Sequence, residues 1–331
     1  MPTWLIVATG LLLIALVMVD VLWSTVSTQG GGPLARIVSI ACWKLSRFHF
    51  RRVQQHWILE TNAVVTLVLT FLIWVIPMWL GWTLIFSAGE EILFHQVTGE
   101  PVTGLDRFYF SGMVLLTLGT GDVLADGAGW RLLSMLASLN GLVVITLTIT
   151  YLLSIISAVI EKRRLALFID GLGDTAEEII EHGWDGAGFE SLEGHLQEIA
   201  ADLMLHAERH LAYPVLQYFH PGDSDAALPT SLAKLNDATT LLSRCVTDEV
   251  QPNRTTLKLL RRGIDDYIDR VELGHISEVD RPPPMPDLEY LRSLEIPMND
   301  EALCKERFDD RGGLRRTLSG VIEAEGWTWP T

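Results

Sequence analysis

Between two long apolar runs the chain reads Thr117-Leu118-Gly119-Thr120-Gly121-Asp122. Two glycines alternate with residues that carry side chains, and glycine accepts backbone angles that other residues resist. Such a segment can run extended with its carbonyl oxygens turned one way. Repeated around a four-fold axis, those oxygens can replace the water around a dehydrated cation. Thr117 would supply hydroxyl and carbonyl; Leu118, Gly119 and Thr120 would supply carbonyls. A second pattern lies further on. Asp202, His206 and His210 follow one another in four-residue steps, one turn after Glu198, a spacing that on a helix face can hold a divalent metal. Gly171-Leu172-Gly173-Asp174 lacks the preceding strand and the third glycine of a nucleotide-binding loop, and reads as a turn. No Ser/His/Asp ordering, phosphate loop or paired-carboxylate motif stands out, so neither an enzyme nor a cofactor is expected.

The elements that must position the hexapeptide are long and apolar. Three runs reach the length of about 20 residues that a spanning helix needs: Trp4 to Trp23 with Asp20 near its end, Ala63 to Phe86 with Pro77 inside, and Trp130 to Ile160. The first lacks the basic start and small-residue cleavage site of a signal peptide. Arg36, Lys44, Arg47, Arg51 and Arg52 lie between the first two runs, and Lys162, Arg163 and Arg164 follow the third. The loop from Ser87 to Asp106 has no lysine or arginine but carries Glu90, Glu91 and Glu100. The excess of cations on the cytoplasmic side of spanning proteins then puts residues 30–56 and the tail inside, and the N-terminus and the hexapeptide's mouth outside.

Charge divides the chain sharply. Of 25 basic and 41 acidic residues, residues 1–164 hold 10 and 9, leaving 15 and 32 for the rest. The expected domains are an N-terminal span (1–29), a basic amphipathic linker at the inner membrane face (30–56), a pore domain (57–164) and an acidic, helical cytoplasmic domain (165–331). The acidity argues against a nucleic-acid partner. Cys42, Cys245 and Cys304 are odd in number and far apart, without disulfide or zinc spacing. In the tail, Thr175-Ala176-Glu177-Glu178 is a capping box. Helices are expected near 189–211, 231–246, 255–273 and 299–324. Arg281-Pro282-Pro283-Pro284-Met285-Pro286 reads as a rigid linker before the last segment.

The stretch Asp106-Arg107-Phe108-Tyr109-Phe110-Ser111, a few apolar residues and then the hexapeptide resembles the tetrameric potassium channels with one pore loop between two membrane helices. The resemblance covers residues 57–163. It implies an all-α membrane protein, a pore-loop channel with three spans and a re-entrant pore helix at 106–116. It implies passive conduction of K+ through stacked carbonyl rings, with Thr117 to Asp122 as the filter and permeant K+ as its occupant. It also implies a homotetramer in the cell (inner) membrane, surrounded by the lipid bilayer. Gly141, twenty residues after Gly121, falls where this family often carries a gating hinge; close helix packing is the other reading. Asn140, Thr146, Thr148 and Thr150 are polar positions for a water-filled cavity or for bonds to their own helix. Three departures from the family pattern stand out. Thr120 replaces the usual tyrosine and is too short to brace the pore helix, and Leu116 replaces the first of a threonine pair. Phe110 and Met113 occupy places where many members carry a donor or an acid behind the filter. Tyr109 bonding Asp122 would compensate in part. The alternatives are a weakly selective or Na+-permeable channel, and a membrane sensor or scaffold that does not conduct. A cytoplasmic ligand or protein partner is compatible with the tail.

Overall fold

The computed structural model describes residues 2–28, 30–53, 57–89, 91–270 and 279–330. Residues 54–56 of the expected linker, Glu90 and residues 271–273 of an expected helix lie outside the described residues. The chain divides into two compact units, Met1–Leu45 with Val64–Ile155 and Ser46–Ala63 with Ile156–Thr331.

The first unit draws on α1 (Thr3–Val26), α2 (Pro33–Val53), α3 (Trp57–Phe86), α4 (Leu105–Leu115) and α5 (Gly127–Asp170). Of these, α1, α3 and α5 are long and apolar enough to cross a membrane. Their outer faces expose large apolar side chains, among them Leu12, Leu16, Val68, Leu72, Leu136 and Leu139, the composition that hydrocarbon requires. The third span starts earlier and runs further than its apolar stretch predicts, because the charged residues after Ile160 are also good helix formers.

Small residues set the packing of α1 on α3. A Cβ on Gly10 would lie 2.6 Å from the carbonyl of Gly81, and one on Gly81 would lie 2.8 Å from that of Gly10. The two backbones therefore touch, as small residues permit in membrane helices. Asp20 closes the same corner. It is buried, at 1% exposure, and accepts from the amides of Leu34 (2.7 Å) and Ala35 (3.3 Å) and from the Trp74 indole (2.7 Å). Helix α2 opens with Pro33, preceded by a glycine that has no side chain to cap it, so the first free amides of α2 are capped by a carboxylate from another helix.

Two three-residue strands complete this unit. β1 (Leu93–His95) and β2 (Val123–Ala125) pair antiparallel with Leu93 opposite Ala125 and His95 opposite Val123. They are too short for an alternating pattern to register in the sequence.

The second unit is built around α8 (Leu228–Thr240), buried almost throughout, with α6 (Ala176–Gly183), α7 (Glu190–Ala212) and α9 (Arg254–Arg270). Leu196, Ile199 and Leu203 of α7 share one core with Leu257, Leu260 and Ile264 of α9, a period of three and four residues. Burying each such side chain contributes about 1.5–3 kcal/mol relative to exposure. Half of the capping box forms as read: the Thr175 hydroxyl accepts from the Glu178 amide at 3.1 Å, while the Glu178 carboxylate accepts from the Asp174 amide at 2.8 Å.

Three tail expectations are corrected. The helix expected to 246 stops at Thr240 and continues as a π turn, Leu241–Cys245. The helix expected over 299–324 is two, α11 (Glu301–Asp309) and α12 (Gly312–Ala324), after a short α10 (Leu288–Ser293). The proline run does not set the last segment apart. Leu288, Leu291, Cys304, Phe308 and Leu318 belong to the same core as α7 and α8. The carbonyls of Pro283 and Pro284 accept from Arg315, which also forks onto the buried Asp237 at 3.0 and 2.9 Å.

Candidate ion-conduction site

Helix α4 is held on two sides. The Trp79 indole of α3 donates to the Phe108 carbonyl at 2.8 Å and stacks on the Phe108 ring, 4.2 Å between centroids. From α5, the Ser138 hydroxyl donates to the Val114 carbonyl at 2.8 Å. Gly141 lies where a Cβ would come 1.9 Å from the Leu115 carbonyl oxygen. Of the two readings of Gly141, close packing is what the geometry displays: the helix runs through it unbroken, and the end of α4 occupies the space a side chain would need.

The end of α4 then launches the hexapeptide. The amide of Thr117 donates to the Val114 carbonyl at 3.0 Å, and that of Leu118 to the Met113 carbonyl at 2.9 Å. This is a Schellman closure, and it requires a left-handed residue at its turn. Thr117 holds that place with φ 58°. A β-branched residue is strained there by about 1–2 kcal/mol, and such strain persists where the surroundings fix it. Gly119 (φ 57°) and Gly121 (φ 76°) repeat the left-handed geometry at alternate positions. The far end is fixed too: the Asp122 carbonyl accepts from the Gln96 amide at 2.9 Å, and the β1–β2 ladder follows.

Between these clamps the backbone is open. Thr117 to Thr120 are exposed. Among the described residues, no hydrogen bond ends on the carbonyls of Thr117, Leu118, Gly119, Thr120 or Gly121. A row of unpartnered carbonyls on a fixed loop needs water, a cation or another chain.

The sequence pairs Tyr109 with Asp122 as compensation for the short Thr120; in the structure the contact runs through Thr120. The Tyr109 hydroxyl, from α4, lies 3.2 Å from the Thr120 hydroxyl, which donates in turn to the Asp122 carboxylate. The pore helix thus supplies the long side chain and the loop the short one. Thr120's hydroxyl, with help from Tyr109, holds the Asp122 carboxyl below the usual carboxylate range. Tyr109 as the compensating residue was legible in the sequence; the relay through Thr120 was not.

The cavity candidates are spoken for. Asn140 accepts from the Trp82 indole at 3.2 Å and donates to the Met18 sulfur at 3.0 Å. The hydroxyls of Thr146, Thr148 and Thr150 each bond the carbonyl four residues back.

Asp202, His206 and His210 share α7 but not one environment. Steps of four residues wind about 40° each around a helix. Glu198 is therefore exposed, whereas His206 and His210 are 2% and 3% exposed. Asp202 pairs with Arg164, and burial raises its carboxyl against that pull. His210 Nδ1 lies 3.2 Å from the His206 carbonyl. Among the described residues, no group of three or more His, Cys, Asp or Glu side chains is placed to hold a metal ion.

Comparison with known proteins gives two findings. A family model described as an ion channel matches residues 64–158. Over 330 residues the chain is 33% identical to the uncharacterized membrane protein YdjJ of Bacillus subtilis (strain 168), across 97% of this chain and 94% of that one. No solved structure matches the chain.

Proposed function

The chain belongs to one membrane-protein family with Bacillus subtilis YdjJ and carries an ion-channel domain, and on that premise we propose that it conducts K+ passively through a homotetrameric pore. The observation that carries the reading is the row of unpartnered carbonyls from Thr117 to Gly121, clamped by the Schellman closure before it and the strand pairing after it. One loop offers one side of a ring. Four copies around a closed axis complete it. Dehydrated ions then exchange their water for carbonyls and displace one another down their gradient. Asp122 adds a negative charge beside Gly121. The arginines and lysines between α1 and α3 and after residue 160 support a C-terminal unit in the cytoplasm and a hexapeptide mouth outside, in the cell (inner) membrane. A cytoplasmic ligand or protein would gate the pore by binding its open and closed arrangements unequally. The reading calls for no cofactor beyond the permeant ion.

The test is flux and reversal potential in proteoliposomes under opposed K+ and Na+ gradients. K+ flux that Gly119→Ala abolishes, with a reversal potential near that of K+, is the expected result. The replacement of the filter tyrosine by Thr120 favours a second reading, a weakly selective cation channel, for which the reversal potential would sit between the two ions. Absence of flux in both proteins would mark a sensor or scaffold.

A further inference from the structure

The segment after Arg164 holds 32 acidic and 15 basic residues, yet an open pocket of about 310 Å³ in the second unit reverses that balance. Arg244, Arg254, Lys258 and Arg261 line it, against one carboxylate, Asp248. Asp248 is already engaged by Arg254 at 2.8 Å. Among the described residues no ion pair reaches Arg244, Lys258 or Arg261. Arg261 is half-buried and donates to the Ser243 hydroxyl at 2.8 Å. Burial first, and then the positive charges of Arg311 and Arg244, push its guanidinium down to about 10. Arg311 is itself committed to Asp265 at 2.8 Å.

The backbone supports the same reading. Arg254, Lys258 and Arg261 stand at i, i+4 and i+7 on α9, one face of its first two turns. Ser243 and Arg244 come from the π turn, a rare geometry that occurs frequently at functional sites. Arg261 is partly desolvated while Arg244 and Lys258 are exposed; an anion among the three is attracted by all of them, and guanidinium forks match phosphate oxygens. The acidic surroundings repel a long polyanion such as nucleic acid, and the volume is at the small end of ligand pockets.

We propose that this pocket binds a small phosphate-bearing ligand, its phosphate seated among Arg244, Lys258 and Arg261. The proposal does not depend on whether the chain conducts.

Calorimetric titration of the full-length protein in neutral detergent tests it with three probes: inorganic pyrophosphate, adenosine monophosphate and dihexanoyl phosphatidic acid. Saturable binding of at least one is expected, weakened about 10-fold or more in Arg244→Gln/Lys258→Gln and again in Arg261→Gln. Both members of the double variant are exposed, so its melting temperature without ligand stays that of the wild type. Binding of pyrophosphate or the nucleotide identifies a soluble phosphate; binding of the phosphatidic acid alone identifies a lipid headgroup. No binding of any probe up to about 10 mM, or equal affinity in wild type and double variant, overturns the proposal.

Discussion

Three hydroxyl and carboxyl groups decide how firmly the hexapeptide keeps its shape. Tyr109 reaches Thr120, and Thr120 reaches Asp122. The links are few but concentrated on a segment whose carbonyls from Thr117 to Gly121 have no hydrogen-bond partner among the described residues. In proteoliposomes, Tyr109→Phe and Thr120→Val are expected to keep the protein folded while lowering K+-over-Na+ discrimination, read as a shift of the reversal potential toward zero. Unchanged discrimination in both would mean the brace is incidental. The sequence disclosed the hexapeptide because its glycines lie two apart in a local pattern. It offered Tyr109 as a partner of Asp122 but not the relay through Thr120, which exists because α4 ends in a Schellman turn that sends the chain back along its own helix. Nor did it disclose that turn, since Thr117 occupies a place where glycine would have been the signal.

At the scale of elements, single contacts hold helices together. A methyl group at Gly141 would overlap the Leu115 carbonyl, and overpacking of this kind costs about 1–3 kcal/mol or more. Gly141→Ala is therefore expected to lower the melting temperature in detergent as well as K+ flux; a hinge role alone would change flux and leave melting untouched. Asp20 joins α1, α2 and α3 through three hydrogen bonds. Asp20→Ala strips two helix-start amides and an indole of their acceptor, a loss on the order of 3 kcal/mol. Asp20→Asn keeps one acceptor oxygen and should recover part of it, as differential scanning fluorimetry would report. The lengths of α1, α3 and α5 were legible because apolar length is a one-dimensional property. The cap on α2 was not, because the capping residue sits in a different helix. The division of the expected 299–324 helix was visible only as Gly312-Gly313 within an otherwise helical run.

For the molecule as a whole, acid stability follows from two histidines. Burial holds His206 down to about 4 and His210 to about 3, from an ordinary 6.5. The unfolded chain takes up protons before the folded one, so the stability present above pH 6.5 is lost as pH falls toward 4. Asp237 works in the opposite sense. Burial raises it from 3.8 to about 6 against the pull of Arg315, so that it favours the folded state as pH falls between those values. Asp202, also raised by burial, acts in the same sense as Asp237, but the two imidazoles are the more strongly shifted groups, and the melting temperature is expected to drop between pH 7 and pH 5. A His206→Gln/His210→Gln variant should lose most of that slope. The tail's helical class was readable from its caps and periodicity. Its single core was not, since a proline run that crosses a core and one that links two domains look the same in sequence.

Asp20 also bears on how the protein is made. A carboxylate costs about 2.5–3.5 kcal/mol to insert at the centre of a spanning helix, an upper bound for Asp20 near the end of α1. Its first two partners, Leu34 and Ala35, are 14 and 15 residues downstream, whereas Trp74 is 54. Synthesis runs from the N-terminus, so the two amides leave the ribosome about 40 residues before the indole, at a few seconds of translation. The first span can thus find hydrogen-bond donors for its carboxylate while the second is still unmade, and α2 serves as the temporary companion that lets α1 wait in the bilayer.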